Sequence, residues 1–475
     1  MLSLIQSLAK IGKKPPIRIP SELPLSSHSL RETLLIWNGH QYDLLIAAPR
    51  EFIESLKSLR VHKDSTGVVT RLLSLEEIYQ AYLGRDEAEQ VKHCLASYET
   101  HHHLRYAMLV GDCDKFPVRY AKGDRYPSGP DDPTHNTGFC PTDLYYADLF
   151  EADGSFGDWD RNGNGYFAEL QGGSVAGKLN IEDIDLRPDI AVGRIPASTV
   201  DEVETYVSKV IRYELGAHGS TWVKDALLIA TTNWVADACK TQDYIAEHYL
   251  GDFIVHKLYE AGNPCEATEI PNSDTINALL NQGVGLVSYV GHAGPDCLQI
   301  PDGLYCIADL ARLSNSDRLP VMFAAGCSTS YFATEPPTQP YMDINGTYHV
   351  GTEKGEVFPE TPPQPACIQI RTNPESLGEH ITVKMSAGAI GFVGSQTGAQ
   401  PYSIDLNKFF FKAIHAEGRT LGEMWNYMLH EYYDAHVPPL NVDPPDWTKV
   451  AEFHQPWKFF LFGDPSLRLG GTPPL

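Results

Sequence analysis

Two side chains able to do nucleophilic chemistry, Cys327 and His292, each stand just past an apolar run that breaks into glycine. Gly285-Leu286-Val287-Ser288-Tyr289-Val290 ends at Gly291-His292-Ala293-Gly294, and Leu319-Pro320-Val321-Met322-Phe323-Ala324-Ala325 ends at Gly326-Cys327-Ser328. A thiol with an imidazole beside it is the smallest set that supports nucleophilic acyl transfer. A free thiol has a pKa of about 8.5, so a neighbouring imidazole is needed to raise the thiolate fraction or to protonate a leaving amine. Gly291, Gly294 and Gly326 leave main-chain N–H groups able to turn toward a carbonyl oxygen, as oxyanion stabilisation requires.

That chemistry needs the two runs to lie side by side. Each reads as a buried strand, and Leu304, Ile307, Leu310 and Ala311 between them fall at helical spacing from Gly303 to Leu313. Strand, helix and strand make a parallel crossover, almost always right-handed. Neighbouring parallel strands about 4.8 Å apart deliver His292 and Cys327 to one carboxyl edge, where open α/β sheets place their sites. Singly, a Cys is more often a small buried hydrophobe and a His one satisfied by a carbonyl; the paired placement favours chemistry.

A second constellation is Asp158-Trp159-Asp160-Arg161-Asn162-Gly163-Asn164-Gly165-Tyr166-Phe167-Ala168-Glu169. Asp158, Asp160, Asn162 and Asn164 put hard oxygen donors at alternate positions, Gly163 permits a sharp turn, and Glu169 can close the shell, so the stretch fits a twelve-residue Ca2+ loop with a structural role. The bland alternative is a polar turn rich in side-chain caps, and no flanking helices are evident. His101-His102-His103 is read as a solvated loop, because consecutive side chains cannot all face one ion.

The 475 residues suffice for two or three domains, and 42% hydrophobic with 21% charged residues is a globular composition. A net charge of −24 without a basic run argues against nucleic-acid or anionic-membrane partners and favours cationic substrates. Nine cysteines with no CxxC pair indicate neither a disulfide framework nor a zinc site, so a reducing compartment is expected. With no basic, long apolar leader and no run of membrane-spanning length, a cytoplasmic location is the expectation.

Along the chain, residues 1–30 read as an extension and 31–218 as a first α/β subdomain containing the Ca2+ loop. Thr199 with Glu202 forms a capping box for a helix to about Leu215. Residues 219–475 form a second subdomain in which strand and helix alternate regularly, with His292 after its third strand and Cys327 after its fourth. Residues 334–374 are Pro-rich and read as a long loop beside the nucleophile, a cover for the cleft that activation cuts after Lys354 or Arg371. A fifth strand, Ala389 to Gly394, brings Ser395 to Gln400 to the same edge, which makes Gln400 and Tyr402 candidates for substrate contact.

Taken in order, Leu109-Val110-Gly111-Asp112, Ala191-Val192-Gly193-Arg194, Tyr289-Val290-Gly291-His292, Ala325-Gly326-Cys327 and Phe462-Gly463-Asp464-Pro465-Ser466-Leu467 resemble the gingipain-type cysteine peptidases, family C25 of the caspase-like clan. The resemblance covers roughly residues 40 to 470. It implies two side-by-side α/β subdomains, the second caspase-like with a mostly parallel sheet flanked by helices. It further implies Cys327 as nucleophile, His292 as general acid/base, and the N–H groups of Cys327 and Ala293 as oxyanion hole. Where the family supports the His with an acid, the corresponding stretch is Thr231-Thr232-Asn233, so Asn233 takes the third position; it can orient an imidazole but not neutralise an imidazolium. Asp237 falls near the acid that gives family members a basic P1 preference. The family usually has Gly where Ala293 stands. A secretion signal and an immunoglobulin-like domain, also implied, have no recognised counterpart, which points to work inside the cell; secretion is the alternative that the resemblance implies.

The leading reading is a cysteine endopeptidase acting on a protein or peptide. A non-catalytic scaffold of the same fold is the competing class, supported by Ala293 and the missing acid. A doubly wound nucleotide binder lacks any phosphate-binding glycine motif.

Overall fold

The structure, a computed structural model, describes residues 40–124, 137–169, 180, 182–231, 238–261, 265–301, 303–369, 374–415, 420–436 and 452–473. Its frame is one ten-stranded sheet. In chain order the strands of that sheet and of three small ladders are β1 (Leu44–Ala48), β2 (Thr70–Ser74), β3 (Tyr106–Val110), β4 (Arg119–Asp124), β5 (Thr137–Thr142), β6 (Ala191–Ile195), β7 (Asp225–Ala230), β8 (Ile254–Tyr259), β9 (Leu286–Val290), β10 (Cys297–Ile300), β11 (Gly303–Cys306), β12 (Val321–Ala325), β13 (Tyr341–Met342), β14 (Tyr348–His349), β15 (Gly391–Ser395) and β16 (Phe459–Phe462). The large sheet runs β2-β1-β3-β6-β16-β15-β12-β9-β7-β8.

Its strands are short and buried on both faces: β1, β3, β6, β9, β12 and β15 are buried at every position. Such continuous apolar runs are what helices packed on both faces require. Within each half the pairings are parallel, and the halves meet where β15 pairs antiparallel with β16 while β16 pairs parallel with β6. The two halves therefore run in opposite directions, and a strand from the end of the chain is inserted between them. This is the expected pair of side-by-side α/β subdomains, joined into one sheet.

Gly193 sits at that seam because a Cβ there would come within 2.2 Å of the Gly463 carbonyl oxygen. Helices flank the sheet. Val200–Gly216 starts at the expected Thr199–Glu202 capping box, an arrangement that contributes about 1 kcal/mol. Among the described residues no helix is long and apolar enough to cross a membrane.

Four expectations change. The stretch from Gly303 is not helical at its start: β10 and β11 pair as an antiparallel hairpin, and only Ile307–Leu310 is helix. The cysteines do pair, Cys239 with Cys265 and Cys297 with Cys306, the second across that hairpin. Residues 334–369 are a long connection of mostly irregular backbone, but a docked one. They carry the β13–β14 ladder and lie along the first subdomain, where Val118 N–H donates to the Cys367 carbonyl, Phe139 N–H to that of Pro336, and the Gln364 amide to that of Tyr120. Finally, His101 and His102 end the helix Glu87–His102, with His103 as its left-handed cap, and the buried His102 ring bonds the His40 carbonyl at 2.6 Å.

Candidate active site

β9 and β12 are parallel neighbours, with Val290 opposite Ala325, and each strand ends two residues before its reactive side chain. His292 and Cys327 thus leave the sheet at matched positions on adjacent strands. His292 is exposed and Cys327 half-buried. The two turns are in direct contact: a Cβ on Gly326 would meet the Ala293 Cβ at 2.8 Å and the Gly291 carbonyl oxygen at 2.9 Å, and a Cβ on Gly291 would overlap the Thr231 hydroxyl. Both positions need glycine for space. Among the described residues, the N–H groups of Ala293 and Cys327 have no acceptor, as an oxyanion hole requires.

The His292 turn is held from below. The fully buried Tyr289 places its hydroxyl 2.5 Å from the His292 carbonyl oxygen and 2.8 Å from that of Gln299, and burial raises its pKa, so it stays a protonated donor. Gln299 N–H also donates to the His292 carbonyl, Gly294 N–H donates to that of Cys297, and the Cys297–Cys306 disulfide closes the hairpin directly behind.

The Cys327 turn is held from the other side. Ser328 adopts a φ of 59°, in the left-handed region, and its N–H lies 3.0 Å from the Thr397 carbonyl and 3.1 Å from the Ser395 hydroxyl. The Cys327 thiol faces the Ala399 carbonyl at 3.7 Å. Beyond this loop a cavity opens between the subdomains, walled by Phe139, Pro336 and Trp457, with Glu335, His454 and Gln400 among its polar lining. Lys458 fixes the loop by donating to the Gly398 carbonyl at 3.1 Å and the Gln400 side-chain oxygen at 2.8 Å. Burial drives the His454 imidazole well below its usual pKa, and the nearby Lys458 charge adds to this, so it is neutral.

Of the predicted site residues, His292, Ala293, Cys327 and Gln400 come together at this edge. Tyr402 stands beside the loop with its ring edge-on to His436. Asn233 and Asp237 lie outside the described residues. Sequence reading gives no role to Tyr289, to Ser395 beyond its place at the edge, or to the Cys297–Cys306 pair; the available clue for Tyr289 is a polar tip inside an otherwise apolar strand.

The stretch read from the sequence as a Ca2+ loop, Asp158 to Glu169, belongs to the first subdomain, and its Tyr166 ring stacks on Phe139. Its donors gather, but onto cations of the chain itself: Arg85 binds Asp158 at 2.5 Å and Asp160 at 3.1 Å, and Lys122 binds Glu169. Asp160 accepts the N–H groups of Asn164 and Gly165, the Asn164 amide donates to Glu169 at 2.8 Å, and Glu182 accepts from the Asn162 amide at 2.6 Å. Glu182 is a neighbour the motif did not include. Donor types suit calcium. Among the described residues, however, no group of three or more His, Cys, Asp or Glu side chains surrounds a common metal position.

The profile of peptidase family C25 matches residues 38–470. A complex of the pro- and mature domains of RgpB from Porphyromonas gingivalis superposes with a TM-score of 0.58 at 14% identity, over 90% of this chain and 79% of that one. The Arg-specific cysteine proteinase gingipain R superposes with a TM-score of 0.56 at 15% identity, over 91% and 79%. At those identities the likeness is one of fold. An uncharacterized protein of Archaeoglobus fulgidus is 31% identical over 167 residues, spanning 32% of this chain and 40% of the relative's length.

Proposed function

From the premise that the chain belongs to peptidase family C25, we propose that it is a cysteine endopeptidase working through Cys327 and His292. The thiolate of Cys327 attacks a peptide carbonyl, forming a C–S bond, and the resulting oxyanion is received by the N–H groups of Ala293 and Cys327. Collapse breaks the C–N bond as the His292 imidazolium protonates the departing amine. Water, deprotonated by His292, then hydrolyses the thioester and restores the thiol. The observation that carries this reading is the matched register of β9 and β12, which delivers both side chains to one sheet edge beside a cavity. The test is turnover of a peptide library diverse at P1 by wild type, Cys327→Ala and His292→Ala. Loss of turnover in both folded variants is the expected result, and cleavage surviving Cys327→Ala overturns the mechanism.

The cavity takes a substrate side chain in this reading. A basic P1 residue is supported by Glu335, 6% exposed in its wall, and by the net charge of −24, with Asp237 as the sequence candidate outside the described residues. Equal cleavage after Leu and Arg in the same library removes it. Gln400 lines the cavity and Tyr402 flanks it, which suits substrate contact. Cutting of the 334–374 segment is supported at Lys354, exposed in the turn Thr352–Lys354, while Arg371 lies outside the described residues; an active enzyme that remains one intact chain on a denaturing gel refutes it. Two disulfides favour an oxidising compartment, and hence the secreted alternative over the cytoplasmic one.

Calcium is retained as a structural role of the loop at Asp158, Asp160, Asn162, Asn164 and Glu169, where binding has to displace Arg85 and Lys122. A thermal unfolding midpoint that rises with Ca2+ and falls with chelator supports it; an unmoved midpoint shows that the two basic residues already do the neutralising.

A further inference from the structure

The turn that carries Cys327 has little intrinsic reason to keep its shape. Ser328, next in the chain, sits at a φ of 59°, a conformation that L-residues adopt only when their surroundings enforce it. Two acceptors converge on the Ser328 N–H, the Thr397 carbonyl at 3.0 Å and the Ser395 hydroxyl at 3.1 Å, and of these the hydroxyl also reaches the other flank of Cys327. Ser395, fully buried at the last position of β15, lies 2.8 Å from the Gly326 carbonyl oxygen, 2.7 Å from that of Thr397, and 3.1 Å from the Ser328 nitrogen. Its single hydrogen is donated to one of the two carbonyls while its lone pair accepts the Ser328 N–H. It therefore grips the backbone on both sides of Cys327 and ties that turn to the start of the loop whose Ala399 carbonyl faces the thiol.

Little freedom remains around it. A Cβ on the preceding Gly394 would meet the Thr329 hydroxyl at 2.4 Å and that of Ser330 at 2.7 Å, so the end of β15 is pressed against the residues that follow the nucleophile. β15 also pairs with β12, which places Ser395 across from the end of the strand leading to Gly326. No other side chain bonds both flanks of Cys327 among the described residues.

We propose that Ser395 is the positioning residue of the nucleophile, holding the Cys327 turn and the 397–400 loop in one register so that the thiol and the substrate-side wall meet the scissile carbonyl together. This rests on the reading of Cys327 as nucleophile. Removing the hydroxyl frees the Gly326 carbonyl and leaves the Ser328 N–H held by the Thr397 carbonyl alone, so the approach of the thiol loosens, a loss felt in the chemical step more than in binding.

The experiment compares wild type with Ser395→Ala, by kcat and KM on the best library peptide, by the rate of iodoacetamide alkylation at Cys327 read by peptide mapping, and by thermal unfolding. The expected result is a kcat about tenfold to thirtyfold lower with KM within about twofold, and an alkylation rate changed at least about threefold, in a protein that remains folded. Ser395→Cys, which keeps a weak donor, is expected to fall between the two. It carries the kinetic test should Ser395→Ala not fold. Unchanged kcat and alkylation overturn the assignment, as does a fall in kcat no larger than the unfolded fraction explains. A wild type whose turnover survives Cys327→Ala defeats the nucleophile reading instead, and the two failures are thereby separate.

Discussion

The two halves of the sheet secure their strand ends with different chemistry. In the half that holds β3 and β6 the anchors are buried charges. Arg194, with no exposed surface, reaches Asp143 at 2.7 Å through both Nε and Nη2 and also donates to the Gly111 carbonyl. Lys63 is equally buried between Glu214 at 2.7 Å and Asp464 at 2.6 Å, the latter tying the end of the chain to the first subdomain. At the reactive edge of the other half a charged anchor, Lys458, holds the 398–400 loop, but the side chains on the two turns themselves are neutral: Tyr289 under the His292 turn, Ser395 beside the Cys327 turn, and Gln396, whose side chain binds the Phe332 N–H and the Ala333 carbonyl. Paired buried charges hold a fixed structure, but near a thiol and an imidazole any fixed charge would bias which of the two carries the proton. Neutral anchors fix the two turns and, in the proposed reading, leave that balance to Cys327, His292 and the substrate.

Substitutions on either side separate anchoring from chemistry. Cys327→Ala removes the proposed nucleophile and nothing that anchors; peptide turnover is expected to fall by about a thousandfold or more while the unfolding midpoint stays put. Arg194→Met should do the reverse, because it strands the Asp143 carboxylate in the interior: a loss of about 3–5 kcal/mol in unfolding free energy is expected by denaturant titration, with activity per folded molecule retained. Tyr289→Phe tests the neutral side. It keeps the ring and deletes the hydroxyl under His292, so kcat should drop about tenfold and stability by about 1 kcal/mol. A Tyr289→Phe enzyme with wild-type kcat means that the hairpin alone positions the His292 turn.

The smallest effect concerns pH. His454 is fully buried and held neutral, its folded pKa lying well below that of the unfolded chain. Below about pH 6.5 the unfolded state takes up a proton that the folded state refuses, so stability falls with falling pH in that window. His454→Gln is expected to flatten this acid limb in unfolding measured from about pH 7 to pH 5, and an unchanged slope assigns the limb to other groups.

Much of this was legible because the informative features are local. An apolar run that stops at Gly-His or Gly-Cys declares a buried strand and a tight turn at once, so the order of β9 and β12 and their common edge could be read directly, as could the Thr199–Glu202 helix start. The hairpin at 297–306 was misread because Leu304, Ile307 and Leu310 satisfy a helical period, while the alternation that makes a strand covers only four residues and is decided by pairing with β10. The disulfides depend on that pairing and on distant packing, which spacing does not reveal. The 334–369 segment looked irregular because its prolines suppress periodicity; its order comes from hydrogen bonds to the first subdomain. Arg85 and Lys122, which bind the acidic loop, lie far from it in the chain.

The central claim is that Cys327 forms a covalent acyl intermediate helped by His292. It is tested most directly by trapping the enzyme with a peptidyl acyloxymethyl ketone and locating the adduct by mass spectrometry. The account predicts one stoichiometric adduct on Cys327, formed in parallel with loss of turnover, absent in Cys327→Ala and much slower in His292→Ala. Turnover that continues with Cys327 fully modified, or an adduct that forms equally fast without His292, contradicts it.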